Sequence, residues 1–176
     1  MIRRAGGPTA NTCQFRKSED MAHETITDEE LAALIQSTTE AASAYMRGDI
    51  RRYLALIKPA EDHTLMAPAG GELIRGRDDS DEAIEITSRY FQAGDADLEV
   101  VQTYTSCDLV VMAAIERQHG EVGGLPDQDW SLRVTLVFRR EGSEWRQVHR
   151  HADPLVHGIS LEQAAAIARG EASDTQ

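Results

Sequence analysis

The spacing of apolar residues changes once along this chain of 176 residues, and that change limits the folds open to it. Before Asp97 apolar side chains recur every three or four residues, which is the period of one face of a helix. From Asp97 onward they alternate with polar ones, which is the period of a strand. Helices followed by a run of strands are typical of α+β domains, in which an antiparallel sheet packs on helices. The length fits one domain with one core.

Four segments carry the start and stop signals of helices. In each, a side chain that can cap a first turn precedes an apolar face of helical spacing, and a glycine or proline closes the segment. The predicted caps and stops are Thr27 and Gly48, Asp49 and Pro59, Asp79 to Glu82 and Gly94, and Ser160 and Gly170. The first helix is predicted to be long and the last to be short.

Strand composition defines two short runs and two long hairpins. The short runs are residues 64–67 and 72–76, and the hairpins are residues 98–117 and residues 130–153. Between the hairpins lies a glycine-rich segment, residues 120–129, which we expect to be a loop. It would be either a flap at the mouth of a cavity or a plain surface connection.

The chain carries 18 basic and 30 acidic side chains, a formal net charge of -12. Such acidity disfavours nucleic acid and anionic membrane surfaces as partners, since both need basic patches. The two cysteines, Cys13 and Cys107, are too few for a disulfide framework, so a reducing cytoplasm is the expected location. No run is long and apolar enough to span a bilayer.

Several local patterns together resemble the nuclear-transport-factor-2-like superfamily, in its SnoaL-like, ketosteroid-isomerase-like branch. They are Gly48-Asp49 after a long helix, the run from Thr64 to Pro68, Gly76 before the third helix, and the closing hairpin Phe138-Arg139-Arg140 to Trp145-Arg146-Gln147-Val148-His149-Arg150-His151. The chain is also similar to the association domain of calcium/calmodulin-dependent kinase. The resemblance implies a cone-shaped, curved antiparallel sheet around a long N-terminal helix, an internal pocket, and a homodimer formed through the sheets.

The catalytic residues that the resemblance implies for ketosteroid isomerases are absent from this sequence. Ala67 stands where those enzymes have a catalytic aspartate, and their tyrosine donor falls near Ala41. Residues 130–139 contain no carboxylate that could replace their second acid. We therefore exclude steroid-type isomerisation.

The sharpest local pattern is His149-x-His151-x-Asp153. On a strand these three side chains share one face at intervals of about 7 Å. One interpretation is a metal site with two histidines and one carboxylate, and another is a purely structural set. A third interpretation is metal-free catalysis, with His151 or His149 as general acid or base and Asp153 orienting it. On that interpretation the three residues are the candidate catalytic set.

Five further residues are candidate ligand contacts. Arg133 and Arg150, which we expect on the strand face opposite the histidines, could clamp a carboxylate or phosphate. Tyr45 on the first helix, His63 before the first strand and Trp130 at the start of the closing hairpin complete the set. Which sheet face lines the pocket depends on the strand register, because a slip of one residue exchanges the faces.

We accordingly divide the chain into a disordered leader (residues 1–24), a SnoaL-like domain (25–158), and a short terminal helix with a tail (159–176). The predicted function is binding of a small molecule in the internal pocket, with cofactor-free isomerase, cyclase or dehydratase chemistry as the catalytic version. The alternative is a non-catalytic assembly or regulatory dimerisation module. Neither a metal nor another cofactor is expected.

Overall fold

The computed structural model describes residues 25–170, so the predicted leader and the last six residues lie outside the described part. Within it are four helices and seven strands, and the predicted α+β class is confirmed. The helices are α1 (Asp28–Met46), α2 (Ile50–Leu56), α3 (Asp81–Tyr90) and α4 (Leu161–Ala168). The strands are β1 (Pro59–Met66), β2 (Ile74–Arg75), β3 (Phe91–Ser106), β4 (Leu109–Val122), β5 (Leu125–Asp129), β6 (Leu132–Glu141) and β7 (Glu144–Pro154).

The helix starts follow from the local sequence. At α1 the Thr27 hydroxyl accepts a hydrogen bond from the Glu30 amide at 3.1 Å, and the Glu30 carboxylate accepts one from the Thr27 amide at 2.9 Å. The predicted caps Asp49 and Ser160 likewise receive amide hydrogen bonds from the first turns of α2 and α4. α1 ends at Met46, and the chain turns away at the predicted stop Gly48, whose φ of 76° lies in the left-handed region that favours glycine.

The strands form one mixed sheet in the order β2-β1-β7-β6-β4-β3, with β5 paired to β4. The meander β3-β4-β6-β7 predicted from the alternating pattern is confirmed. The curved sheet is antiparallel, as predicted, except at one pair, since β1 joins β7 in parallel. β1 directly follows the two N-terminal helices in the chain, so no hairpin connects it to β7.

The loop predicted at residues 120–129 is wrong. β4 continues to Val122, the chain turns at Gly123 and Gly124 with φ of 61° and 83°, and β5 returns alongside β4. The glycines therefore make a tight hairpin turn rather than a mobile connection. Gly94 was likewise expected to end α3, but it lies in β3, where an added Cβ would stand 2.2 Å from the His119 carbonyl oxygen.

The core lies between α1 and the concave side of the sheet, which we call the inner face. Apolar residues of β6 at alternate positions (Leu132, Val134, Leu136 and Phe138) are buried there. They pack with Ala41, Leu34 and Ile35 of α1. The sequence left open which sheet face is turned inward, and in the structure the apolar face of β6 packs against the helices.

A β-bulge in β7 decides which of its side chains face the core. Val137 pairs with His149 but Phe138 pairs with Gln147, so Val148 is an extra residue on β7. The bulge shifts the alternation by one, and buried Gln147 shares the inner face with Arg150 and Ala152. The histidines are left on the convex side, which we call the outer face.

Candidate functional site

A bidentate ion pair inside the cone is the most unusual feature of the core. Nη1 and Nη2 of Arg150 donate hydrogen bonds to the two carboxylate oxygens of Glu116 at 2.6 and 2.7 Å. Glu116, on β4, is 3% exposed. Burial acts to lower the pKa of Arg150, but the charge and hydrogen bonds of Glu116 outweigh it and raise that pKa. The guanidinium of Arg150 therefore stays charged, and its two hydrogen bonds to Glu116 fix its orientation.

Two tyrosines from the helices complete the surroundings of this pair. The Tyr45 ring of α1 lies 5.1 Å from the Tyr53 ring of α2 and 4.6 Å from the Phe91 ring, measured between centroids. Burial, with a smaller effect of Tyr53, raises the pKa of Tyr45 to about 12, while the charge of Arg150 opposes the rise. The Tyr45 phenol stays protonated at neutral pH and can donate a hydrogen bond.

His63 lies within β1, not before the first strand as predicted, and is 5% exposed. Its Nδ1 makes a long contact of 3.5 Å to the Gly76 carbonyl oxygen, and its Nε2 makes no hydrogen bond within residues 25–170. Burial, aided by the charges of Arg77 and His149, lowers the pKa of His63, against the weaker effects of Gly76 and Gln147. The imidazole is therefore neutral at neutral pH.

Trp130 takes a structural position. Its indole Nε1 donates to the Gly120 carbonyl oxygen at 3.1 Å, which ties β6 to the end of β4. Its ring packs against the small cluster of Met46, Ala96 and Val122. Its role as a ligand contact stays a prediction.

On the outer face, the three residues of the His-x-His-x-Asp pattern do point the same way, but they have different partners. His149 Nδ1 lies 2.8 Å from the Thr64 hydroxyl, and Asp153 accepts a hydrogen bond from Arg133 Nε at 2.7 Å. His151 is exposed. Within residues 25–170 no group of three histidine, cysteine or acidic residues is placed to hold a metal ion.

The expected grouping of Arg133 with Arg150 is wrong. Arg133 pairs with Asp153 and Arg150 with Leu136 in the β6–β7 ladder, so the two arginines lie on opposite faces. Directly paired residues of antiparallel strands share a face, and the sequence alone could not supply that register.

The outer face also carries a groove of about 430 Å³. Its walls come from β4, β6 and β7, from Leu155 directly after β7 and from the bulged part of β3, and include Ala113, Ile115, Arg133, Thr135, His151 and Asp153. The candidate catalytic residues His151 and Asp153 thus line a shallow groove on the sheet, away from the interior where Arg150, Tyr45 and His63 lie. Their catalytic role stays a prediction.

Glu116 and Tyr53 were not among the predicted site residues. Glu116 did leave a signal, because it continues the buried alternation of Val110, Met112 and Ala114. An acidic residue rarely occupies a buried position of an alternating strand unless it has a partner of opposite charge. Its partner Arg150 is 34 residues away and could not be identified from spacing.

The model of the SnoaL-like domain family matches residues 34–156. No curated protein matches the chain. Among solved structures, a proposed dehydratase of the NTF2-like family from Streptomyces avermitilis is 20% identical, with a TM-score of 0.57 over 73% of this chain and 96% of its own.

Two other solved structures are similar in fold. A proposed scytalone dehydratase from Novosphingobium aromaticivorans is 12% identical, with a TM-score of 0.59 over 75% of this chain and 90% of its own. A proposed calcium/calmodulin-dependent protein kinase II association domain from Xanthomonas campestris is 18% identical, with a TM-score of 0.51 over 76% and 91%. None of the described helices is long and apolar enough to cross a membrane.

Proposed function

The chain belongs to the SnoaL-like domain family, and from this membership we propose that it binds a small, partly apolar molecule inside the cone. The observation that carries the proposal is the buried ion pair of Glu116 and Arg150. Taking two charges out of water costs several kcal/mol per ion, and apolar side chains of similar volume are often at least as stabilising. A charged pair kept in the core therefore favours a functional role.

The chemistry of the pair suits a polar group on the ligand. A guanidinium has five N–H donors, and the bonds to Glu116 use two of them. Arg150 keeps 21% of its side-chain surface accessible. The remaining donors of Arg150 and the Tyr45 hydroxyl would hold a carboxylate or carbonyl, and the rings of Tyr45, Tyr53 and Phe91 would contact an apolar part.

The same groups would support cofactor-free proton transfer. The neutral imidazole of His63 is a candidate base, and the Tyr45 phenol is a candidate hydrogen-bond donor to a developing oxyanion. Two of the similar structures bear the name dehydratase, a reaction of this acid/base type. We propose isomerisation, cyclisation or dehydration of a small organic substrate as the catalytic version of the function. His151 with Asp153 is the rival acid/base pair, located in the outer groove.

The ligand proposal is tested by calorimetric titration with benzoate, whose ring and carboxylate match the two parts of the interior. We expect saturable binding to the parent protein and at least a tenfold loss of affinity in Tyr45→Phe, which keeps the ring and removes the hydroxyl. Tyr104→Phe is the matched control, because Tyr104 is an exposed tyrosine of β3. Equal affinities of the three proteins for benzoate would remove Tyr45 from the site, and absence of binding would count against the interior as an organic-acid site.

The second candidate is a non-catalytic assembly module acting through the outer face. Apolar side chains there stay exposed, with Val101 63% and Met66 46% accessible. Similar structures include domains named for kinase association. We propose a homodimer through this face, so Ile115→Glu on the outer face should dissociate it, whereas Ile86→Glu on α3 should not. Sedimentation velocity measures both, and an Ile115→Glu protein with unchanged mass would exclude this interface.

A further inference from the structure

The terminal helix α4 has the capping signals of a stable helix, but none of its residues is buried by the described part of the chain, residues 25–170. A full capping box begins it, with the Ser160 hydroxyl accepting from the Gln163 amide at 3.2 Å and the Gln163 side chain accepting from the Ser160 amide at 2.9 Å. None of its residues is buried, and Leu161 and Ile167 are 85% and 68% exposed. A helix of eight residues is marginal in water without tertiary packing. The capping and the exposed apolar side chains together require a packing partner.

The apolar residues of α4 lie on one side of the helix. At 3.6 residues per turn, one continuous arc contains Leu161, Ala164, Ala165, Ile167 and Ala168. The opposite arc holds Glu162, Gln163 and Ala166. The helix is therefore amphipathic, although no other described residue buries its apolar side.

The groove on the outer face is a largely apolar surface, and none of the four helices between residues 25 and 170 covers it. Val101, the extra residue of a bulge in β3, projects there, and Leu155 forms part of the wall directly after β7. Leu155 stands only six residues before Leu161, so α4 leaves the sheet from the edge of the groove.

We propose that α4 of a second copy of this chain packs in the outer groove, and that the two copies exchange their terminal helices. An eight-residue helix is about 12 Å long and by itself covers much less than the roughly 1,200 Å² of a stable interface. Reciprocal exchange would bury two grooves and two helices. The apolar outer faces of the two copies, which would meet each other, would add to the buried area. The inference goes beyond the proposed ligand site, and its test needs no ligand.

Oxidative cross-linking tests the exchange directly in the full-length chain, with Cys13 and Cys107 replaced by serine. One preparation carries Val101→Cys and the other, lengthened by a tag, carries Ile167→Cys. In an equal mixture only a contact between two chains can produce the heterodimer. We expect it in at least a tenfold excess over the control mixture of Ile86→Cys with Ile167→Cys, because Ile86 is an exposed α3 residue away from the groove. Yields equal to the control would overturn the exchange.

A charge scan on α4 provides the second measurement. Leu161→Glu places a carboxylate in the apolar arc, and Ala166→Glu places the same charge in the opposite arc. We expect Leu161→Glu to weaken dimerisation at least tenfold in sedimentation equilibrium and Ala166→Glu to leave it within twofold. A dimer that is equally strong in both variants would show that α4 does not contribute to it, whatever holds the two sheets together.

Discussion

Glu116 and Arg150 lie on strands that are separated by β6. Even so, the two terminal nitrogens of Arg150 donate hydrogen bonds to the two carboxylate oxygens of Glu116. Both side chains project from the inner face over the apolar residues of β6. The pair is thus a cross-strand clamp inside the core as well as a candidate ligand contact. Its energetic and its functional roles can be separated by mutation.

Removing one member of the pair should destabilise the fold strongly. Glu116→Gln leaves an unpaired buried guanidinium, and we expect a loss of about 3–5 kcal/mol in the free energy of unfolding measured with urea. The double change Glu116→Leu with Arg150→Met removes both charges and should be near the parent in stability. Glu99→Gln, which breaks the exposed pair with Arg117, is the control and should cost no more than about 1 kcal/mol. A double variant as unstable as Glu116→Gln would contradict this account.

The ion pair of Glu30 with Arg140 should make stability depend on acidic pH. The hydrogen bonds from Arg140 and Thr27 lower the pKa of Glu30 from 4.5 to about 2. A depressed carboxyl pKa stabilises the folded state above pH 4.5, and that contribution disappears as the pH falls towards 2. Glu30→Gln keeps the capping geometry but loses the charge, so it should unfold at lower urea than the parent at pH 7 and at nearly the same urea at pH 2.5. Glu29→Gln, on the exposed first turn, should match the parent at both values, and a gap for Glu30→Gln that persists at pH 2.5 would argue against the ion pair as its cause.

The two candidate ligand sites lie on opposite faces of the sheet, and a histidine substitution distinguishes them. If the interior holds the ligand, His151→Ala should change benzoate affinity by less than twofold, since His151 lies on the outer face. His63→Ala should weaken it, because His63 is buried on the inner side. The reverse ranking in calorimetry would move the site to the outer groove and support the His151–Asp153 pair.

Gly94 should be intolerant of any side chain. An added Cβ would lie 2.2 Å from the His119 carbonyl oxygen and 2.9 Å from that of Met46, both rigid backbone atoms. We expect Gly94→Ala to lower the free energy of unfolding by at least about 1–3 kcal/mol in thermal or urea denaturation. Gly158→Ala meets nothing within 4 Å and should leave stability nearly unchanged. Equal stabilities of the two variants would show that β3 and β4 can move apart at this point.

The sequence by itself determined the helices and the order of the meander. Capping side chains act on amides three residues away, so Thr27, Asp49 and Ser160 could be recognised without knowledge of the fold. The alternation of Leu132 to Phe138 likewise marked a buried strand face. The sequence also places Glu116 in line with the buried apolar positions of its strand.

The tertiary structure decided which functional side chains lie on the same face of the sheet. The bulge at Val148 changes the alternation of β7, and the register of β6 with β7 places Arg133 beside Asp153 and Arg150 beside Leu136. Neither the bulge nor the register can be recognised in the sequence. A shift of one residue moves every side chain to the other face, but it changes no local strand propensity. Pairing between residues as distant as Glu116 and Arg150 depends on strand order, which only the packed sheet fixes.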